Sequence, residues 1–330
     1  MRRDLILLVG IIGFFSSQLA VAGEALGLER RLTAVFSDNH QKVVRIKAAY
    51  ESAEESGKVS LRVGTGFFAS SDGLILANTS VTEGARRIWV EQGDASYTAE
   101  IVGSDEATNI ALLQVIDQPK GSFTFIPVDE QPYPAIGTLL LSIGCALEFD
   151  PAPRMGLVSG QDSNFGQRVF PTAYIRTTIP ANPGEGGSPV MDLNGRLLGM
   201  IVASLPEVSA SYVIPATAIG KVRDDLLLAG AVQYGWIGIE VESQPAKNEA
   251  NAPLVITSIV DTGPAEKGGL EVGDRIIQIN GQQVEGINSM RHSFFLARVG
   301  QFLDFKISRE GSKMDFSVQV GSQPKAPQID

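Results

Sequence analysis

The residue types best suited to chemistry lie in the run Gly-Glu-Gly-Gly-Ser-Pro at residues 184–189. A serine in a glycine-rich turn can present its hydroxyl to a substrate carbonyl, while backbone N–H groups of the turn bind the developing oxyanion. A serine hydroxyl attacks well only when a base takes its proton, and that base is most often a histidine. The chain has two histidines, His40 and His292, and both are far from this run in sequence. The run therefore points to acyl transfer only if the fold supplies a base beside it.

Short strands joined by glycine-rich turns are predicted to position this run. The segments 70–73 and 192–195 read Ser-Ser-Asp-Gly and Asp-Leu-Asn-Gly, which are hairpin turns between strand-like runs. About a dozen such strands, with almost no helix among them, predict a barrel or a sandwich up to residue 214. Apolar residues at helical spacing then predict a helix over 215–230. The segment 235–322 alternates strands with short helices and is expected to be a small α+β unit.

Charge and composition exclude several classes of partner. The chain has 330 residues, a formal net charge of −10 and no cluster of lysines and arginines. Nucleic acid is therefore excluded as a partner, because phosphate contacts need clustered basic side chains. The histidines, the cysteine and the acidic residues have no metal-binding spacing, so neither a metal nor a cofactor is expected. The length allows two domains.

The first 22 residues are expected to form an export signal. Arg2 and Arg3 precede the apolar run 5–15, and Ala-Val-Ala at 20–22 fits a signal cleavage site. The run is short for a membrane span, and an uncleaved membrane anchor is the alternative. The single cysteine, Cys145, allows no intrachain disulfide. These features predict an exported protein of a bacterial periplasm or cell envelope.

Five stretches of the sequence carry a resemblance to a known family. They are Gly-Thr-Gly-Phe at 64–67, Gly-Leu-Ile-Leu-Ala-Asn at 73–78, Asn-Ile-Ala-Leu-Leu at 109–113, Asn-Pro-Gly-Glu-Gly-Gly-Ser-Pro at 182–189 and Asp-Leu-Asn-Gly-Arg-Leu-Leu-Gly at 192–199. Residues 43–322 thereby resemble the HtrA/Deg family of periplasmic serine proteases. The resemblance implies a mostly β fold, in which a chymotrypsin-like double β-barrel is followed by an α+β PDZ domain. The expected segments are a signal peptide at 1–22, an N-terminal segment at 23–42, the protease-like domain at 43–232, the PDZ domain at 233–322 and a polar tail at 323–330.

The three positions of the family's catalytic triad carry other residues here. Where the family has Thr-Asn-x-His-Val, residues 77–81 read Ala-Asn-Thr-Ser-Val, so Ser80 takes the place of the base. Asn109 takes the place of the orienting aspartate, and Gly186 takes that of the nucleophile. Loss of the nucleophile or the base alone costs about a millionfold in kcat in a measured protease. The chain is therefore expected not to be an enzyme, with no catalytic residue.

Ser188 is the basis of the alternative hypothesis. It lies two residues after the nucleophile position, and an active serine endopeptidase could use it as a displaced nucleophile. A shift of two residues moves a side chain several ångströms along the chain and away from the oxyanion donors. The preferred interpretation makes Ser188 a turn residue that forms a local hydrogen bond. The resemblance also implies oxyanion donors in the backbone amides of Gly184 and Gly186, which could still hold a peptide carbonyl.

The C-terminal unit resembles a PDZ domain of the HtrA type with its motifs intact. The loop Trp236-Ile237-Gly238-Ile239 matches the carboxylate-binding loop, and residues 263–276 match the turns and short helix that follow. Such domains add a peptide as a strand along an exposed sheet edge. The helix predicted at 289–297 forms the other wall of the groove. Its candidates for contact with the peptide are Arg291, His292 and Phe295, with Leu296 as a further one.

The resemblance implies a binding function in the cell envelope. The chain is expected to bind unfolded proteins or peptide C-termini through its PDZ domain, as a chaperone, an adaptor or a regulator. An active HtrA relative is a candidate partner, and a homo-oligomer is compatible with the family. A purely structural scaffold with an inactive groove is a third hypothesis.

Overall fold

The computed structural model describes residues 27–51, 59–118, 121–244 and 253–322. The signal and tail predicted at 1–22 and 323–330 lie outside the described residues. Within the described ranges, no helix is long and apolar enough to cross a membrane. A helix, α1, occupies residues 27–39 and leads into the first strand through a 3-10 turn at His40–Lys42.

Six antiparallel strands close the first β-barrel in the order β1-β2-β3-β6-β5-β4. They are β1 (Val43–Glu51), β2 (Val59–Phe68), β3 (Leu74–Ala77), β4 (Arg87–Gln92), β5 (Ala95–Asp105) and β6 (Ile110–Val115). A one-turn helix, α2 (Thr79–Thr82), follows β3. Ile46, Phe68, Ile75 and Leu113 are fully buried inside this barrel, as the alternation of apolar residues along the strands requires.

A second barrel repeats this plan with the strand order β10-β11-β12-β9-β8-β7. Its strands are β7 (Leu139–Gly144), β8 (Ala152–Phe165), β9 (Arg168–Thr177), β10 (Pro189–Met191), β11 (Leu197–Leu205) and β12 (Ala210–Pro215). A 3-10 turn at Pro206–Val208 joins β11 to β12. The predicted double barrel is confirmed. The hairpin of β8 and β9 is longer than the strands Met155–Ser159 and Ala173–Thr178 that the apolar pattern predicts, because the polar run 161–164 gives no apolar alternation and forms strand through its pairing with β9.

The C-terminal unit is an antiparallel sheet with two helices, as predicted. The sheet order is β14-β15-β16-β18-β19, so β14 lies at an edge. Its elements are β13 (Gly235–Trp236), β14 (Ile239–Ser243), β15 (Leu254–Ile259), α4 (Pro264–Lys267), β16 (Arg275–Ile279), β17 (Gln282–Gln283), α5 (Ile287–Leu296), β18 (Phe302–Arg309), β19 (Ser312–Gln319) and β20 (Gly321–Ser322). Ile256, Phe305 and Ile307 are fully buried in its own core.

Helix α3 (Ala216–Ala229) joins the second barrel to the C-terminal unit. Its buried face packs on the core shared by the two barrels, through Ile219, Val222 and Leu226. Phe295 of α5 belongs to the same core cluster, although α5 is part of the C-terminal unit. The two parts of the molecule therefore share packed apolar side chains.

Candidate functional site

Residues 182–189 form a tight turn between the two barrels. Glu185 donates its backbone N–H to the carbonyl of Asn182 at 3.0 Å, which closes the turn. Thr65, on β2 of the first barrel, forms two hydrogen bonds with the turn, which belongs to the second barrel. Its hydroxyl donates to the Gly184 carbonyl at 2.7 Å, and its N–H donates to the Gly186 carbonyl at 2.9 Å. The hydroxyl also accepts the N–H of Cys145 at 2.9 Å, so one residue connects three points of the second barrel.

Two of the three residues predicted to take the triad positions are in direct contact. Ser80, exposed on α2, donates its backbone N–H to Oδ1 of Asn109 at 2.9 Å. The side-chain nitrogen of Asn109 donates to the carbonyl of Val202 on β11, also at 2.9 Å. Asn109 has a left-handed backbone with φ 59°, a conformation that asparagine tolerates better than most residues. Asn109 thus joins α2 to the second barrel through neutral hydrogen bonds.

The third position, Gly186, lies against the side-chain amide of Asn78. A Cβ added to Gly186 would lie 2.8 Å from the nearest atom at the end of that amide, and the amide carbon would be 3.8 Å away. In the orientation that satisfies its neighbours, the Asn78 amide donates to the Ile201 carbonyl at 3.3 Å and accepts the Gly187 N–H at 3.2 Å. Asn78 therefore occupies the space that a side chain at position 186 would use.

Ser188 is buried inside the turn, with 1% of its surface exposed. Its hydroxyl donates to the carbonyl of Glu185 at 2.6 Å, which is the local hydrogen bond that the sequence predicted. Attack on a substrate would require this hydroxyl to leave that carbonyl and reach the surface. Nearby Cys145 is also buried, and burial raises the pKa of its thiol to about 11, so the thiol stays protonated at neutral pH.

An ion pair that sequence reasoning missed lies behind the turn. The Glu185 carboxylate is almost fully buried, and its Oε1 accepts from Nε of Arg154 on β8 at 2.5 Å. Its Oε2 accepts the backbone N–H of Asn182 at 2.7 Å. The turn is therefore fixed from inside by a charged hydrogen bond as well as from outside by Thr65. The two charged residues are 31 positions apart, and no local pattern links them.

The side chains of the two histidines form their contacts outside the turn. Nδ1 of His40 lies 3.2 Å and 3.0 Å from the carbonyls of Phe36 and Ser37 on α1. Nδ1 of His292 lies 2.9 Å from the Thr172 hydroxyl and 3.1 Å from the Tyr133 hydroxyl. None of these contacts involves a residue of the turn at 182–189.

A groove in the C-terminal unit holds the predicted peptide-binding loop. A cavity of about 80 Å³ lies between this loop and α5. Its lining is apolar and consists of Gly235, Trp236, Ile237, Gly238, Ile239, Phe294, Ala297, Leu303 and Val320. The loop 236–239 thus lines this groove, and its contact with a peptide stays a prediction.

Helix α5 presents a different face to the groove than the sequence indicated. Phe294 lines the groove, whereas Phe295 is 3% exposed and packs into the core of the barrels. Arg291 donates to the Phe170 carbonyl at 3.5 Å, and His292 contacts Thr172, so both side chains lie against β9. The physical reason is that α5 has two apolar faces, and the second barrel covers the one that carries Phe295.

The buried His292 predicts a specific pH dependence. Burial lowers its pKa from 6.5 to about 4, while the unfolded chain takes up this proton near pH 6.5. The unfolded state therefore binds more protons between these values, and stability falls as the pH drops through that window, by about 1–3 kcal/mol. Urea unfolding of the natural chain and of His292→Gln at pH 7 and pH 5 measures this contribution.

The glutamine variant should lose less stability than the natural chain on going from pH 7 to pH 5. His40→Gln, at the other histidine, is the matched control for the substitution itself. Equal losses for the natural chain and for His292→Gln would contradict the prediction.

Comparisons with known proteins identify both parts of the chain. The model of the trypsin-like peptidase domain matches residues 64–200, and that of the PDZ domain matches residues 227–308. A probable periplasmic serine endoprotease, DegP-like, from Pseudomonas fulva is 30% identical over 273 residues, which cover 79% of this chain and 56% of the relative. The DegP-like endoprotease from Chlamydia trachomatis is 30% identical over 272 residues, which cover 79% of this chain and 54% of that relative. The chain thus spans little more than half the length of these relatives.

Solved structures show the same fold. The HtrA-type protease AlgW with a tripeptide has a TM-score of 0.68 at 24% identity, covering 89% of this chain and 98% of that one. The serine endoprotease from Yersinia pestis has a TM-score of 0.58 at 22% identity, again covering 89% and 98%.

One prediction is overturned by these comparisons. The expectation that the chain is not an enzyme is wrong, because the relatives are named serine endoproteases and the matching domain model is that of a peptidase. The expected location in the periplasm is confirmed by the relatives, which are named periplasmic endoproteases. The chain, a trypsin-like peptidase domain with a PDZ domain, is homologous to the DegP/HtrA periplasmic serine proteases.

Proposed function

We propose that the chain binds polypeptides by their C-termini in the groove between β14 and α5. The observation that carries this proposal is the direction of the backbone amides at the groove. A terminal carboxylate needs such N–H groups, and an extended peptide needs an open strand edge beside them. The proposed bounds of the two domains remain 43–232 and 233–322.

Strand β14 offers its free edge to a ligand. It pairs on one side only, with β15, and Ile239 is opposite Ile259. The N–H of Val260 donates to the carbonyl of Gly238 at 2.9 Å, which makes Ile239 and Ile259 a non-hydrogen-bonded pair. The N–H and the carbonyl of Ile239 therefore point away from β15, towards the place where a peptide strand would add.

A second backbone amide, that of Gly238 in the loop before β14, also points outward. The carbonyl of Ile237 accepts the N–H of Ala265 at 2.9 Å and so points into the domain. In a trans peptide the N–H points opposite to the carbonyl, so the amide of Gly238 points out of the domain. The amides of Gly238 and Ile239 together form a site suited to a carboxylate.

The proposed ligands are the C-termini of unfolded proteins. Similar solved structures support this class, since they are those of an HtrA-type protease with a tripeptide and with a decapeptide. An active HtrA relative and a second copy of the chain are additional proposed partners.

Fluorescence anisotropy with labelled peptides tests the proposal. A peptide with a free C-terminal carboxylate should bind at least about tenfold more tightly than its amidated form, because a charged hydrogen bond contributes roughly 1.5–3 kcal/mol. Equal binding of the two forms would contradict the proposal.

A pair of glycine variants locates the site. Gly238 has φ 77°, and an added Cβ would lie 2.9 Å from the Trp236 ring. Gly281 has φ 76°, with nothing within 4 Å of an added Cβ. Both alanine variants carry the same backbone strain, but only Gly238→Ala should weaken peptide binding.

Endoproteolysis is the second candidate function, favoured by the names of the relatives. Ser188 is the serine of the turn, and its displacement from the Glu185 carbonyl is what this function would require. Cleavage of casein and labelling by a fluorophosphonate are measured for the natural chain and for Ser188→Ala. Loss of both signals in the variant would support Ser188 as the nucleophile, and unchanged signals would assign hydrolysis to another group. Peptide binding is measured separately, so either function can fail alone.

A further inference from the structure

Two backbone N–H groups of the turn at 182–189 have no acceptor within the described part of the chain. They belong to Gly184 and Gly186, whereas Glu185 between them donates to the Asn182 carbonyl. Both glycines are half-buried, so their N–H groups can reach a ligand as well as water. Backbone N–H groups are seldom left unpaired, and two free ones in a single turn indicate an acceptor supplied from outside the chain.

The carbonyls of the preceding residues set the direction of these two N–H groups. The Pro183 carbonyl accepts the N–H of Leu147 at 3.0 Å and therefore points towards the loop that follows β7. The Glu185 carbonyl accepts the hydroxyl of the buried Ser188 at 2.6 Å and therefore points into the turn. In a trans peptide the N–H points opposite to the carbonyl. The first free N–H thus points away from the loop, and the second points out of the turn.

The position of this backbone depends on the ion pair behind the turn. The side chain of Glu185 is 3% exposed, and its charge is compensated by Arg154, whose side chain is 33% exposed. The same carboxylate accepts the backbone N–H of Asn182. Without the guanidinium, the carboxylate would lack its counter-charge and would move towards water, because burial of an unpaired charge is unfavourable. The backbone of residues 184–186 would move with it.

The two members of the ion pair differ in their need for a partner. Arg154 lies partly in water, so it tolerates Glu185→Gln, whose amide oxygen still accepts hydrogen bonds. The opposite change, Arg154→Ala, leaves a buried carboxylate without its counter-charge. Removal of the arginine should therefore disturb the turn much more than neutralisation of the glutamate.

We propose that Arg154 is a positioning residue for the turn and that it acts through Glu185. It holds the N–H groups of Gly184 and Gly186 in the direction in which they donate to a backbone carbonyl of a bound polypeptide. The ligand is an internal segment of an unfolded chain, because every residue of such a segment carries a carbonyl and no charged terminus is needed. This inference does not depend on the binding of C-termini in the PDZ groove.

A single NMR signal, that of the Gly184 amide, reports on the turn. Pro183-Gly184 is the only Pro-Gly step of the sequence, so proline labelled at its carbonyl carbon and glycine labelled at its nitrogen select this amide alone. The signal should move or split in Arg154→Ala and stay near its natural position in Glu185→Gln. The double variant should return it there, since no buried charge remains, whereas a loss of packing at Arg154 would not be repaired by the second substitution.

Titration with a peptide gives an independent measurement. The probe is an apolar peptide with an acetylated N-terminus and an amidated C-terminus, so it lacks the carboxylate on which binding in the PDZ groove depends. It should shift the Gly184 signal of the natural chain and bind Arg154→Ala about two- to tenfold more weakly, the range that a neutral hydrogen bond contributes. Arg196→Ala is the matched control, because Arg196 pairs with Asp192 in the next hairpin, and it should change neither the signal nor the affinity.

Each outcome supports or overturns the proposal. An unchanged signal in Arg154→Ala, or no return of the signal in the double variant, overturns the positioning role. A Gly184 signal that does not respond to the blocked peptide in the natural chain overturns the binding of a carbonyl. If Arg154→Ala does not fold, Arg154→Lys should keep the signal because it keeps the charge, and Arg154→Gln should move it. The binding of C-terminal carboxylates is measured with other peptides and can fail or succeed independently.

Discussion

The variant Asp225→Ala should unfold with a free energy about 3–5 kcal/mol lower than that of the natural chain. Asp225, on α3, is 4% exposed and accepts from Nζ of Lys221 at 2.5 Å and from Nε of Arg298 at 2.7 Å. Lys221 is itself buried and also donates to the carbonyl of Gln233 at 2.8 Å. Removal of the carboxylate would leave a buried ammonium without its counter-charge.

The pKa of Asp225 is consistent with a charged carboxylate that neutralises Lys221. Burial alone would raise its pKa, but the hydrogen bonds from Lys221 and Arg298 outweigh burial and lower the pKa below its usual range. Its contribution to stability is therefore present at neutral pH and is lost as the pH falls through that lowered pKa. The network joins α3, the linker at Gln233 and the PDZ domain at Arg298.

Urea unfolding followed by tryptophan fluorescence measures the effect, since the chain has one tryptophan in the first barrel, Trp89, and one at the start of the PDZ domain, Trp236. The matched control is Asp224→Ala, next in sequence, where the side chain is 43% exposed and pairs with Arg223 at the surface. That control should lose less than about 1 kcal/mol. Similar losses for the two variants would contradict the prediction.

The second large effect is expected at the triad positions. The combination Ser80→His, Asn109→Asp and Gly186→Ser should raise the rate of casein hydrolysis above that of the natural sequence, because it adds a serine with a histidine base to whatever group the natural chain uses, and such a pair contributes about a thousandfold or more to kcat. The backbone N–H at position 80 now donates to the amide oxygen of Asn109. The carboxylate introduced by Asn109→Asp keeps an acceptor at this place. The side chain introduced by Gly186→Ser would displace only the amide of Asn78, the end of a flexible side chain.

Two comparisons make the triad result interpretable. The double variant Ser80→His with Asn109→Asp lacks the new hydroxyl and should hydrolyse casein at the rate of the natural chain. Fluorophosphonate labelling should appear only in the triple variant or increase strongly there. If the natural chain already hydrolyses casein as fast as the triple variant, the residues it carries are sufficient and the prediction fails.

The regular parts of the fold were predictable from local pattern. The strands Leu74–Ala77, Ile110–Val115, Arg275–Ile279 and Phe302–Arg309 coincide with apolar runs that end at turn residues, and such runs predict strands without any knowledge of the fold. The hairpin of β8 and β9 was underestimated because its outer half is polar. That half gains its strand conformation from pairing, which a local pattern does not report.

The site was predictable where a family motif places a residue and unpredictable where docking decides. The motifs predict Ser80, Asn109 and Gly186 as the triad positions, and this assignment stays a prediction, while Ser80 donates its backbone N–H to Asn109 in the structure. The choice between Phe294 and Phe295 for the groove depends on which face of α5 meets the second barrel. Phe294 and Phe295 are adjacent and both are apolar, so periodicity alone does not show which of them faces the groove. The contact of Asp225 with Arg298 crosses between domains and has no signal in sequence spacing.

The connections made by Thr65 have a consequence for the order of folding. This residue belongs to the first half of the peptidase domain, yet it donates to the Gly184 and Gly186 carbonyls and accepts from Cys145 in the second half. The half that contains the turn therefore lacks part of what determines the turn's shape. During synthesis the first half emerges earlier. The turn can reach its final form only after the second half, which contains it, has emerged and has packed against Thr65 of the first half.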